Sequence, residues 1–318
     1  MNWEIYSNFI KKGKFLLFAV CCILLTSLWA CSSAKPKSSK SPLNPRYQPA
    51  ENLLQILTDF QKHLRDDSYR FEAAKDITGK NIFKATLIRL DNYQKTYPNS
   101  MLPVIYFSRA KALEKLYDYT GAIKNYQLLL KGESRLAQEA QKNLAICQEF
   151  ERIKTLYQKN NNSQEPEERL AELDQQARLW KDLIIKYQGT PYEYLGREEE
   201  EKVEVGKINI LIAQRAEEAN IIHAFKDLIQ NHQPSKNIDQ HWLSLANYYF
   251  SRAREYANMY NAEGLEFDPN VFSQYIGAAV EIFARVANER YGKLERIEAQ
   301  ASLEAIRAFA NGVLSLNQ

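Results

Sequence analysis

The sequence predicts an all-α fold, and three observations carry that expectation. Only 11 Gly and 10 Pro occur in 318 residues, too few for a turn-rich β architecture. Apolar residues recur at spacings of three and four, the mark of helices that bury one face. No alternating apolar run is long enough for a strand. The pattern amounts to about ten or eleven helices of ordinary length. With 45% apolar and 25% charged residues, the chain is neither a disordered tail nor a membrane bundle. Its 42 Lys and Arg against 39 Asp and Glu leave no basic excess of the kind that marks a dedicated nucleic-acid binder.

The N-terminal element, residues 1–30, reads as an export signal. Lys11, Lys12 and Lys14 precede an apolar run that begins at Phe15 and closes on Leu28, Trp29 and Ala30. A spanning helix needs about 20 apolar residues, more than this run supplies. Leu28-Trp29-Ala30-Cys31 resembles the lipobox of bacterial lipoproteins, with Trp29 bulkier than the usual residue. The resemblance implies cleavage before Cys31 and acylation of that cysteine. An ordinary cleaved signal and an uncleaved anchor are the alternatives. Acyl chains on Cys31 would hold the protein to a membrane, and more than one chain makes such an anchor stable. Ser32 after the cysteine fits the lipoproteins sorted to the outer membrane. Loss of residues 1–30 leaves 39 basic and 38 acidic residues, with Cys147 the only thiol beside the acylated Cys31. The fold is then expected to stand without an intramolecular disulfide.

Residues 31–50 are Cys31 and a spacer. Its 32–50 stretch holds four Pro, five Ser and no acidic residue, and it would reach about 50–60 Å as polyproline. Lys35, Lys37, Lys40 and Arg46 make it cationic, which suits a solubilising tether or attraction to anionic headgroups.

The helices follow in order. Leu53, Leu57, Phe60 and Leu64 form the first stripe, and Leu90 and Tyr93 face inward on a second helix closed by Tyr97-Pro98-Asn99-Ser100. Tyr106, Ala110 and Leu113, then Tyr119, Ala122, Tyr126 and Leu129, describe a hairpin whose two alanines allow close approach. Leu136, Ala140, Leu144, Cys147 and Phe150 form the next stripe. A polar break at Asn160–Pro166 precedes a helix over Ala177–Tyr187. Thr190-Pro191-Tyr192-Glu193 then has the order of a capping box with Pro in the first turn. Breaks at His232–Ser235 and Gly264–Pro269 follow, the second opening a helix at Asp268-Pro269. The last helix is expected to bury Leu294, Ile297, Ala301, Ala305 and Ala308.

The hairpin over 106–134 resembles a tetratricopeptide repeat, with Tyr117 where the repeat has Gly and Ser134 where it has Pro. Together with the lipobox, it makes the chain similar to bacterial envelope lipoproteins built on these repeats, the group that includes the repeat lipoprotein of the outer-membrane barrel-assembly machinery. The resemblance implies an α-solenoid of stacked hairpins over 51–190, followed by a C-terminal helical region, 191–318, of degenerate repeats or a separate helical domain. It also implies a concave face formed by first helices, where Val104, Phe107, Lys111, Glu114 and Lys115 would meet a partner peptide.

Chemistry-bearing motifs are few. His63, His223, His232 and His241 form no metal-binding pair and read as surface residues, so no metal or cofactor is expected. Gly-rich phosphate loops and a Gly-x-Ser-x-Gly elbow are absent from the sequence. Cys147 reads as a small core residue. Glu198-Glu199-Glu200-Glu201 reads as a solvated helix face. The competing reading is a pair of carboxylates for glycosidic hydrolysis. Tyr248, Tyr249, Phe250, Tyr256 and Tyr260 read as core filling. The functional expectation is a lipid-anchored, non-enzymatic scaffold for envelope proteins on the periplasmic face of the outer membrane. The alternative is a peptidoglycan-binding or cell-wall-active protein.

Overall fold

Eleven helices account for the regular structure of the described residues, and no strand is named among them. The computed structural model describes residues 48–75, 78, 80–156, 165–289 and 294–316. The export signal, Cys31 and nearly all of the spacer lie outside these residues. From Pro49 onward the chain forms one unit.

Helix α1 (Gln48–Asp66) begins two residues before the expected end of the spacer and buries Leu53 and Phe60. Helix α2 (Ile82–Thr96) starts at Asn81, whose Oδ1 accepts the Phe83 N–H at 2.8 Å. It ends where Asn99 and Met101 take left-handed backbone angles and turn the chain into α3 (Leu102–Lys115). Helix α4 (Tyr119–Leu130) is capped by Asp118, whose Oδ1 accepts the Gly121 N–H at 2.8 Å. A Cβ on Gly121 would meet Asp118 Cγ at 2.9 Å, so glycine is what lets the cap sit there. Ala110 and Ala122 are fully buried, as the close crossing of α3 and α4 requires. Tyr117, between these helices, has φ of 58°, a left-handed angle that favours glycine. Its ring takes the Lys202 ammonium at 3.1 Å and its carbonyl accepts from Lys154 Nζ at 2.5 Å, contacts that a glycine would halve.

Helix α5 (Ala137–Thr155) buries Ala140, Leu144, Cys147 and Phe150, the stripe expected from spacing. Phe150 is an aromatic hub, with the rings of Tyr119, Trp180, Tyr187 and Tyr192 centred 5.2–6.2 Å away. Helix α6 (Pro166–Lys186) packs along α7 (Pro191–Ala213). Thr190 caps α7 by accepting the Tyr192 N–H, while Glu193 reaches back to the Gly189 N–H at 2.8 Å. The reciprocal pair is thus shifted by one residue from the ideal box.

Helices α8 (Glu218–Asn231), α9 (Ile238–Met259), α10 (Pro269–Ala287) and α11 (Leu294–Ser315) complete the chain. Asp268 caps α10, as its sequence indicates. Tyr248 is buried, and Tyr249, Phe250, Tyr256 and Tyr260 are packed against apolar clusters, so this aromatic set fills core. The last helix differs from expectation. Leu294 and Ile297 are 70% and 64% exposed, and Ala301, Ala305 and Ala308 are exposed with them. The buried face is Ala299, Ile306 and Ala310, with Phe309 and Val313 packed beside it. Two apolar stripes compete on this helix, and the one with larger side chains buries more area.

Candidate functional site

Helix α7 is an interior helix, and its glutamates make the molecule's buried charge centre. Glu198, Glu199, Glu200 and Glu201 are each only 2–6% exposed, which corrects the solvated-face reading. Successive residues on a helix point about 100° apart, so each carboxylate meets a different element. Glu198 lies 2.7 Å from Lys236 Nζ. Glu199 accepts from Tyr119 OH at 3.2 Å and faces Lys202. Glu200 pairs with Lys181 at 3.4 Å. Glu201 accepts from Ser235 Oγ at 2.7 Å and meets His241 Nε2 at 2.5 Å.

Ser235 and Lys236 come from the turn between α8 and α9 and His241 from the start of α9, while Tyr119 comes from α4 and Lys181 from α6. His232 is 3% exposed and His241 is 6% exposed, so neither is a surface histidine. His232 Nδ1 is hydrogen-bonded to Tyr69 OH, and its Nε2 lies 3.1 Å from Glu204. The Lys236 N–H donates to the Tyr69 carbonyl at 2.8 Å, tying that turn to the loop after α1. Lys115 Nζ donates to the Asp67 carboxylate at 2.7 Å. His63 is part-exposed, and exposed His223 pairs with Asp227 within its own helix. No group of three ligands that could hold a metal occurs among the described residues.

Environment splits these carboxylates into two classes. Burial pushes the Glu201 carboxyl up, but hydrogen bonds from His241 and Ser235 and the field of the two histidines reverse this and hold it below its ordinary range. Glu204 is held low in the same way by His232, Lys181 and Lys207 against its own burial. For Glu198 and Glu200 burial wins over Lys236 and Lys181, and both are pushed up. Lys236 keeps its proton more tightly than usual, because Glu198 and Asp67 outweigh its burial. Glu198 Oε2 is buried without a hydrogen-bond partner, in keeping with burial as the dominant influence on this carboxyl.

Of the five residues given to the partner face, Glu114 is buried and Val104, Phe107, Lys111 and Lys115 are part-buried. Glu114 is fully enclosed and accepts from Tyr126 OH at 2.6 Å, Lys111 Nζ at 2.5 Å and Tyr192 OH at 3.2 Å. Lys111 also stands 4.8 Å over the Tyr192 ring, and Phe107 packs edge-on to Tyr126. Lys115 is bonded to Asp67. Tyr192 belongs to α7, so the chain's own helix meets α3 at Lys111 and Glu114, while Lys115 lies at the cavity described below. Cys147 Sγ lies 3.4 Å from Glu114 Oε1, and burial together with that carboxylate pushes the thiol far up, consistent with a core residue.

Sequence reasoning missed Asp67, Tyr69, His232, Lys236 and His241 as members of one centre. One signal was available. Leu195, Val203 and Ile208 put apolar residues on several faces of α7, the pattern of a helix surrounded by protein.

The centre meets the surface at Lys181 and Lys202, which are about half exposed, and beside a cavity. Asp67, Lys115, Lys236 and Asn237 form a wall of that cavity, which is open and about 730 Å³, within the size range of small-ligand sites. The four glutamates do not line it. No family model, no curated protein and no solved structure matches this chain.

Proposed function

We propose that the chain is a lipid-anchored, non-enzymatic scaffold that holds partner proteins in envelope assembly. In this reading Cys31 carries the acyl chains, residues 32–50 set the reach from an outer membrane, and repeat-like helical hairpins form a rigid body. The observation that carries the reading is the joint occurrence of the Leu28–Cys31 lipobox and the close Ala110–Ala122 hairpin in an all-helical chain. Two further features support it. The carboxylates that hydrolysis would need are spent on Lys236, Lys181, Ser235 and His241 inside the protein. They stand behind the cavity wall rather than in it, whereas glycosidic cleavage needs two carboxyls flanking the bond. Tyr192 of α7 occupies α3 at Lys111 and Glu114, while Lys115 lines the open cavity, so partner contact is assigned to that cavity and the outer surface.

The test is metabolic labelling with palmitate together with crosslinking of the tagged protein in cells. Label lost on Cys31→Ala and a stoichiometric set of envelope proteins captured by the acylated form are the expected results. An unlabelled protein defeats the lipoprotein assignment. Recovery of wall fragments alone, with soluble fragments released from purified peptidoglycan, replaces the scaffold with a cell-wall-active protein.

A further inference from the structure

The cavity beside Asp67 has the chemistry of a receptor for one carboxylate attached to a peptide. Its inner wall holds two ammonium groups whose positions are fixed from behind. Lys115 and Lys236 side chains are only 8% and 14% exposed. An ammonium has three N–H donors. Lys115 directs two at the Asp67 carbonyl (3.1 Å) and carboxylate (2.7 Å). Lys236 directs one at Glu198 Oε1 (2.7 Å) and stands 3.6 Å from Asp67 Oδ1, beyond hydrogen-bond reach. At least one N–H on each is left over, and both residues line the cavity. Arg70 and Lys84 add exposed cations on the rim.

The charge balance selects a monoanion. Among the described residues, five cations line the cavity against three carboxylates, Asp67, Glu72 and Glu295, and Glu198 behind the wall neutralises one of the five, Lys236. Lys75 is paired with Glu72 at 3.5 Å, and Gln240 with Glu295 at 3.0 Å. With Glu198 counted, five cations face four carboxylates, a surplus of one that a single carboxylate would neutralise and a polyphosphate would exceed.

The remaining lining selects a peptide over a plain fatty acid. Phe83 and Leu116 give an apolar wall, and Phe71 and Leu294 stand exposed at its edge. Side-chain amides lie among them with groups to spare. Asn81 uses its Oδ1 on the Phe83 N–H, leaving its NH₂, and Asn237 uses its Nδ2 on Glu201, leaving its Oδ1. A donor and an acceptor beside an apolar wall match a peptide backbone with an apolar side chain, and a hydrocarbon tail would leave both unused. From Leu294 the exposed stripe of α11 continues to Ile297, an apolar track for residues further up the peptide.

We propose that this cavity captures the C-terminal carboxylate of a partner peptide ending in apolar residues, with Lys115 and Lys236 on the carboxylate and Asn81 and Asn237 on the backbone. The inference rests on the scaffold reading, whose partner it describes.

The experiment uses the full acylated chain in zwitterionic-lipid nanodiscs, titrated by calorimetry with acetyl-Ala-Phe-Leu as the free acid, as the C-terminal amide, and with hexanoate. Saturable binding of the free acid is expected, at least about tenfold tighter than the amide and tighter than hexanoate. Lys236→Gln, checked for its fold by circular dichroism, should weaken the free acid by about tenfold or more, and Asn237→Ala should weaken acid and amide alike. Equal binding of acid and amide, unaffected binding in both variants, preference for hexanoate, or no heat from any probe would overturn the proposal. If crosslinking captures envelope partners while the peptides fail here, the scaffold stands and the cavity assignment alone falls.

Discussion

His241 Nε2 stands 2.5 Å from Glu201 Oε1, with both side chains buried and Ser235 donating to the same oxygen at 2.7 Å. The pair joins α7 to α9 across a separation of 40 residues. Removing one member of a buried hydrogen-bonded pair leaves the other's polar atom unsatisfied. Glu201→Gln is therefore expected to cost about 2–3 kcal/mol, read as a lower denaturant midpoint at neutral pH. In a double-mutant cycle with His241→Gln, the coupling should exceed about 1 kcal/mol. Additive effects would mean that the two side chains do not interact in solution.

The split among the carboxylates gives a pH dependence with two limbs. Glu201 and Glu204 are held below the ordinary value of 4.5, so the stability they add is complete above that value and is lost as pH falls through their folded values. Glu198 and Glu200 are pushed above 4.5, so the folded state holds their protons more tightly and stability falls as pH rises through that raised range. The groups facing Glu201 are His241 and His232, and those facing Glu198 are Lys236, Asp67 and Lys115. Stability measured from pH 3 to 9 should show a maximum on the acid side of neutrality. Glu198→Gln should flatten the upper limb and leave the lower one, and Glu201→Gln should do the reverse. Identical profiles for the two variants would contradict the assignment.

Cys147 provides a probe of the same core. Burial, then the neighbouring Glu114, pushes its thiol far above the ordinary range, and the thiolate is the reactive form. Reaction with a disulfide reagent, followed at Cys147 by peptide mass mapping, should be at least about a thousandfold slower in the native protein than in the unfolded one. It should accelerate in Glu114→Ala, where Tyr126, Tyr192 and Lys111 lose a shared acceptor. Rapid native labelling would show that the centre of α5 opens readily.

What the sequence made legible was local. Asp118 caps through Gly121 three residues on, Asp268 through Asn270, and Thr190 through Tyr192, so each signal and its effect lie within one turn. The Ala110–Ala122 crossing and the Leu144–Phe150 stripe depend on spacing within one hairpin or helix. The buried centre does not have that property. Glu198 through Glu201 find their partners in Tyr119, Lys181, Ser235, Lys236 and His241, and nothing in the run Glu-Glu-Glu-Glu records that those residues are near. Charge was taken as exposure, although a charge paired and hydrogen-bonded by distant residues can be buried. Lys111 and Glu114 show the same limit, since nothing in their spacing records that Tyr192 of the same chain is near.

Helix α11 separates these two kinds of information in one experiment. Its sequence carries one stripe with Leu294, Ile297 and Ala301 and another with Ala299, Ile306 and Ala310, and only the second is buried. Ile306 has no exposed surface and sits in the cluster with Phe283 and Val286. Ile306→Ala should cost about 2–4 kcal/mol from lost burial and the cavity left behind. Ile297→Ala, on the exposed stripe, should stay within about 0.5 kcal/mol of the parent, as surface substitutions do. Thermal or denaturant unfolding of the two variants reads the difference directly. Equal and large losses would mean that the Leu294–Ile297 face is also covered in solution, by a second copy or by a bound partner. Repeating the measurement across a hundredfold range of protein concentration would separate those two cases, since only self-association makes the loss at Ile297 depend on concentration.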